Sequence, residues 1–230
     1  MAWMATQTGA LAVVEKQTIK RSGLIMFVYP NLPPYAYTEN GIPKGPFVEI
    51  YEYVGVSLAL NFSIREYPIK RMYRKLEDGN GYVSLGIFES AIDHNKVLFG
   101  TLPIAKLHVQ LYALRESALR SVWDLENTNI ITVAGYTYAG LKKQLENNGK
   151  NLHFLDAQTH DGAFAMLKSG RANYMLSYKS ASEKSIRALG ITGITMSSIQ
   201  TLPLFFIVSK KTPDAAALLS QMEIAAQMQK

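Results

Sequence analysis

The sequence predicts an α/β fold made of two similar lobes, and three observations carry that expectation. Short apolar runs of strand length alternate with segments whose apolar residues recur at helical spacing, the pattern of a layered α/β chain. One such unit, NLHFLDAQTHDGAFAMLKSGRANYMLSYKSA at Asn151 to Ala181, reads as strand, helix, tight turn and strand. A second copy begins at the apolar run Asn61 to Ile64 and continues through RMYRKLEDGNGYVSLGIFESA. Setting Leu76 on Leu167 places Gly79 on Gly170 and Ser90 on Ala181, so one unit recurs about ninety residues apart, as two lobes require.

Taken in order, Leu24 to Val28 is a continuous apolar run of the kind that forms a buried parallel strand. It stops at YPNLPPYAY, because three prolines in five positions cannot continue a strand. That loop carries Tyr29, Tyr35 and Tyr37 at the carboxyl end of the first strand, where α/β sheets place ligands. The same rings also suit packing of the loop against its lobe. Turn signals at Asn40-Gly41 and Pro43 to Pro46 precede a helix over Phe47 to Leu60, with Ile50, Val54 and Leu58 on its buried face. A strand near Phe62 to Ile64 leads to Pro68, expected at the first position of a helix Ile69 to Leu76. Arg71, in that helix's first turn, offers a planar fork to a carboxylate or phosphate. Tyr82 to Phe88 is the next strand, with Phe88 and Glu89 at its end. Glu89 is placed either to receive a cationic or hydroxylated ligand or to cap a turn.

Leu107 to Leu114 reads as a crossover into the second lobe, and Ser121 to Glu126 as a helix start. Ile130 to Ala134 is a strand ending in GYTYAGL, where Thr137 is expected to cap a helix Ala139 to Glu146 and to offer an anion site. After the Asn151 to Ala181 unit come a helix near Ala181 to Leu189, a returning strand Leu202 to Ser209 and an alanine-rich helix Asp214 to Gln229. The first 22 residues are unlike the rest, and Ala10-Leu11-Ala12 has the small-x-small form of a processing site. They read as a signal-peptide remnant or a tail.

Composition excludes several classes. With 48% hydrophobic and 18% charged residues the chain is globular in type, and no run approaches the roughly eighteen apolar residues of a membrane helix. Zero cysteines exclude a disulfide framework, a thiolate metal site and a cysteine nucleophile. The net charge of +6 is scattered in pairs such as Lys142-Lys143, with no basic stripe for nucleic acid. The four histidines are dispersed, and no phosphate loop, zinc motif or nucleophile elbow occurs. No catalytic residue, metal or cofactor is therefore expected.

The NLPPYAY loop, the run Tyr67-Pro-x-x-Arg71 through Leu76 to Gly79, FGTLPI, GYTYAG and AMLKSGRANYML together resemble the type II periplasmic solute-binding proteins. Within these the resemblance is to extracellular solute-binding proteins of family 3, the polar amino acid type, and it runs from Gly23 to the C-terminus. It implies two Rossmann-like α/β lobes joined by two crossover strands, with residues 23–104 plus 202–230 in lobe one and 105–201 in lobe two. A ligand would lie in the cleft, with closure signalled to an ABC permease, and the protein would be a periplasmic monomer. Thr137 and Arg71 match family positions. The family's carboxylate-gripping Arg falls near Asp93 and its ammonium-holding Asp at Tyr178, and neither residue can play that part. A standard zwitterionic amino acid held in the usual way is therefore not expected. The cleft is expected to be aromatic and hydroxyl-rich, built from Tyr35, Phe88, Tyr136, Tyr138 and Tyr178 together with Tyr29, Arg71, Glu89 and Thr137. Since many family members add a further helix, lobe one is expected to be less fully covered. The resemblance also admits a sensor module reporting to a membrane partner, and a cyclohexadienyl dehydratase-like enzyme using Glu89 as its acid.

Overall fold

The computed structural model describes residues 23–79, 81–88, 92–114 and 121–229; the expected tail 1–22 and Glu89 lie outside them. In chain order the elements are β1 Ile25–Tyr29, β2 Tyr37–Glu39, β3 Ile42–Lys44, α1 Pro46–Ser57, β4 Phe62–Glu66, α2 Ile69–Asp78, β5 Tyr82–Gly86, β6 Val97–Phe99 and β7 Ala105–Leu114. A 3-10 turn at Val122–Asp124 precedes β8 Thr128–Val133, α3 Leu141–Glu146, β9 Leu152–Ala157, α4 His160–Lys168, β10 Tyr174–Tyr178, α5 Lys179–Ala188, β11 Ile194–Ser209 and α6 Ala215–Met228.

Strand order shows two related halves. β4, β1 and β5 run parallel and are followed by antiparallel β11; β9, β8 and β10 run parallel and are followed by antiparallel β7. The repeated unit seen in the sequence is β4-α2-β5 in one half and β9-α4-β10 in the other. Leu76 and Leu167, matched in that comparison, are both buried on the sheet-facing side of their helices. Two crossover strands join the halves: β7 pairs with β11 from Leu114↔Ile194 to Ala105↔Leu204, and β11 continues into pairing with β5 and β6.

Local chemistry explains the elements. β1 is an unbroken apolar strand with both faces covered, as a central parallel strand must be. α2 is mostly charged, and its two buried residues, Met72 and Leu76, lie one turn apart and face the sheet. Pro68 stands one place earlier than the sequence suggested, as the N-cap residue with an extended backbone. β2 and β3 form a hairpin where the sequence showed only turn signals, because strands of three residues are too short to leave an alternation. Gly45 has φ +108°, and a Cβ there would collide with the carbonyl oxygens of Pro34 and Tyr35. The proline-rich loop thereby lies flat on the start of α1, where the Phe47 N–H donates to the Tyr35 carbonyl at 3.0 Å.

The turn leading into β7 is fixed by a buried carboxylate. Glu223 of α6 accepts the N–H groups of Thr101 and Leu102 on one oxygen, at 2.6 and 2.7 Å. Charge-assisted bonds of this kind are strong, and the accepting carboxylate is itself buried. Glu223→Ala is expected to cost about 3 kcal/mol in denaturant unfolding and Glu223→Gln less than half of that, since the amide keeps an acceptor. Equal losses would show that the acceptor is not what matters.

Candidate functional site

The carboxyl ends of the parallel strands in both halves converge on one cavity of about 270 Å³. β1 brings Tyr29 and the following Pro30 to Leu32, β5 brings Leu85 to Ile87, the segment after β8 brings Ala134 to Thr137, and β10 ends in Tyr178. Phe47 and Tyr51 of α1, Met72 and Tyr73 of α2, and Leu107, Leu204 and Ile207 of the crossover strands complete the wall. None of the described lining residues is Asp, Glu, Lys, Arg or His.

Of the residues singled out from sequence, Tyr29, Tyr136, Thr137 and Tyr178 are brought together here. Tyr29 holds Thr38 through its hydroxyl at 2.9 Å. Tyr35 lies behind the wall, its buried ring stacked on Phe47 at 5.3 Å and edge-on to Tyr178 at 6.4 Å. Since Tyr35 belongs to the loop after β1 and Tyr178 to β10, this contact links the two halves. Tyr138 is fully buried and accepts the Val133 N–H at 3.1 Å; its ring backs Tyr178 at 5.2 Å rather than lining the cavity.

Three expectations are displaced. Arg71 is exposed, outside the wall, with its guanidinium 5.2 Å above the Tyr67 ring. Phe88 is 69% exposed and meets the His94 ring edge-on and the Phe99 ring at a tilt instead. Thr137 does not cap a helix: α3 starts at Leu141 and is only six residues long. Tyr138, Ala139 and Gly140 intervene with φ of +51°, +57° and +79°, a left-handed run that interrupts the helix before it begins. Asp93, near the family's clamp position, caps a turn by accepting the Asn95 N–H at 2.9 Å. The wall residues not singled out from sequence are mostly aliphatic, and Leu85, Leu107, Leu204 and Ile207 were legible there only as strand residues.

Burial dominates the electrostatics. Desolvation raises the phenols of Tyr29, Tyr35, Tyr51, Tyr136 and Tyr138, so each remains neutral and able to donate. Tyr51 uses its hydroxyl to accept the Leu85 N–H at 2.7 Å, whereas Tyr136 makes no side-chain hydrogen bond among the described residues.

A second cavity, of about 350 Å³, adjoins the first and shares Asn31, Ala134 and Tyr136 with it. It is the more polar of the two, its wall including Gln158, Thr159, His160, Asp161, Lys184 and Ser185. His160 is buried there and burial lowers its imidazole below the ordinary range, with Asp161 opposing. Among the described residues, no cluster of His, Cys, Asp and Glu could hold a metal ion, and no helix is long and apolar enough to cross a membrane.

No family model and no curated protein matches the chain by sequence. Solved structures match it closely in fold. A histidine kinase sensor domain with similarity to periplasmic binding proteins superposes with a TM-score of 0.69 at 19% identity, covering 90% of each chain. The GluR0 ligand binding core in complex with L-glutamate gives 0.70 at 15% identity, covering 91% of this chain and 95% of that one. A truncated, arginine-bound ArgBP from T. maritima gives 0.65 at 18%, covering 90% and 97%. The chain shares the two-lobe α/β fold of these periplasmic-binding-protein-like structures.

Two measurements check this geometry. Tyr138→Phe leaves the buried Val133 N–H unpaired and is expected to cost about 1–3 kcal/mol in denaturant unfolding. His160, neutral when folded, has its pKa lowered, so the unfolded chain binds more protons as pH falls through about 6.5 and stability drops there. His160→Gln is expected to flatten that part of a melting-temperature profile; an unchanged profile would contradict the buried neutral imidazole.

Proposed function

We propose that this protein is a non-catalytic solute receptor that closes its two lobes over a small polar molecule with an apolar or aromatic body. Lobe one would comprise residues 23–104 and 202–230 and lobe two residues 105–201, a division supported by the last β7–β11 pair at Ala105↔Leu204. The observation that carries the reading is the cavity at the strand ends, walled by tyrosines and aliphatic groups without a charged side chain among the described residues. Such a wall rewards apolar area and neutral hydrogen bonding, and it leaves the charges of a zwitterion unpaired. Tyr29, Tyr136, Thr137 and Tyr178 are the proposed ligand contacts. Binding energy that differs between open and closed forms would drive closure. Delivery to an ABC permease in the periplasm, by a monomer, is the partner we propose. A ligand-sensing role is the second reading, favoured by the fold likeness to a histidine kinase sensor domain. The third, a dehydratase-like enzyme, calls on Glu89 and has less support from a wall otherwise lacking an acid.

A thermal-shift panel of standard amino acids, polyamines, organic acids and neutral aromatic molecules tests this. A true ligand at about one hundred times its Kd adds about 2.7 kcal/mol to folding, a shift of about 5–10 °C for a chain of this size. Hits are expected among molecules with apolar bodies. Tyr178→Ala is expected to weaken binding about tenfold or more, while Arg71→Ala leaves it unchanged. Shifts confined to charged amino acids and polyamines would overturn the reading, and turnover of a hit would favour the enzyme.

A further inference from the structure

Of the two adjoining cavities only the second is lined by charged side chains, and that difference says what kind of molecule would span them. This more polar cavity lies at the start of the nine-residue helix α4. Thr159 caps this helix by accepting the Gly162 N–H at 3.0 Å. The N–H groups of His160 and Asp161, in the first turn, have no acceptor inside the helix and carry the positive end of its dipole. His160 lines the cavity at only 9% exposure, and its Nε2 has no hydrogen-bond partner. A buried polar atom left in this state is costly unless something satisfies it. Its ring lies 5.5 Å from that of Tyr136, the residue shared with the apolar cavity.

From this juxtaposition we propose that the second cavity is the head-group end of the ligand site, receiving the carboxylate of a molecule whose uncharged body fills the first. The proposal rests on reading the first cavity as a ligand chamber. Lys184 and Asp161 are both exposed at the mouth and offset each other in charge. The helix terminus then decides the sign and favours an anion, to which the unpartnered His160 Nε2 can donate as an N–H. Asn31 and Tyr136 stand where the body would meet the head, and the neutral phenol of Tyr136 is a donor facing either cavity.

A consequence for pH follows. The groups facing His160 are Asp161 on its own helix, Lys184 on α5 and Tyr136 on the segment after β8. Burial keeps the imidazole neutral in the empty site. A carboxylate beside it favours the protonated form, so binding takes up a proton and tightens as pH falls.

Calorimetric titration of the full chain with phenylpropionate and hexanoate, each beside its amide and its primary alcohol, tests the proposal. The carboxylates are expected to bind roughly tenfold more tightly than the amides, with a wider margin at about pH 5.5 than at about pH 8. His160→Gln is expected to remove that pH dependence, and Lys184→Ala to narrow the margin. Circular dichroism melts show whether each variant is folded. Equal binding of carboxylate and amide, or a margin untouched by both variants, would overturn the head-group assignment. If bodies still bound, and Tyr178→Ala abolished that binding, the apolar chamber would stand without it. Failure of all six probes to bind the native chain would overturn the chamber and the head-group site together.

Discussion

The antiparallel ladder between β7 and β11 is the interaction on which the rest of the molecule depends. Ten residues of β7 lie along Ile194 to Leu204, with a bulge between Ser198 and Gln200, before β11 passes on to β5 and β6. Each strand end in one half is thereby held at a set distance from its counterpart in the other. Backbone amides paired across this ladder cannot be traded for other partners without leaving buried groups unsatisfied. Relative movement of the halves must be absorbed by twisting two strands, and the facing carboxyl ends of β1, β5, β8 and β10 necessarily border one cleft. Glu223, gripping the turn at Thr101 and Leu102, anchors the point where the chain enters the ladder.

The cleft so formed has two chemical characters. Its larger contact surface is apolar, lined by rings and branched aliphatic chains from both halves. Charges in such a place would need partners that the described wall does not supply, which separates this site from one built around an ion pair. Polar groups gather on one side, around α4 and α5, where a helix terminus and a buried imidazole face the proline-rich loop. That loop also carries Tyr35, whose ring meets Tyr178 across the cleft, so the same segment shapes both cavities and touches the opposite half.

Much of this architecture was legible in the chain itself. The matching of Leu76 with Leu167 anticipated two related halves, since a helix covering a parallel sheet needs an apolar residue at that turn in each copy. Tyr29 ends a strand that stops at a proline-rich loop and Tyr136 follows one closed by Gly135, and strand ends are where α/β sheets open into clefts; Tyr178 was singled out by the resemblance alone. Other features left weaker traces. The first half of β11, ITMSSIQT, lacks the apolar density of LFFIVS because several of its residues remain open to solvent, and only the later half read as a strand. Thr137 looked like a helix cap until backbone geometry placed three left-handed residues before α3.

The sequence by itself determined the alternation of strands and helices and the doubled unit, because each depends on residue type and local spacing. Tertiary structure alone decided that Arg71 turns to Tyr67 and Phe88 to His94 and Phe99. It also decided that Leu85, Leu107, Leu204 and Ile207 share one wall, and that His160 is buried beside Tyr136. These are encounters between side chains far apart in the chain, and no local pattern encodes which of several apolar or aromatic residues will meet. Desolvation, which sets the protonation of His160 and the phenols, likewise depends on what surrounds a group after the whole chain has folded.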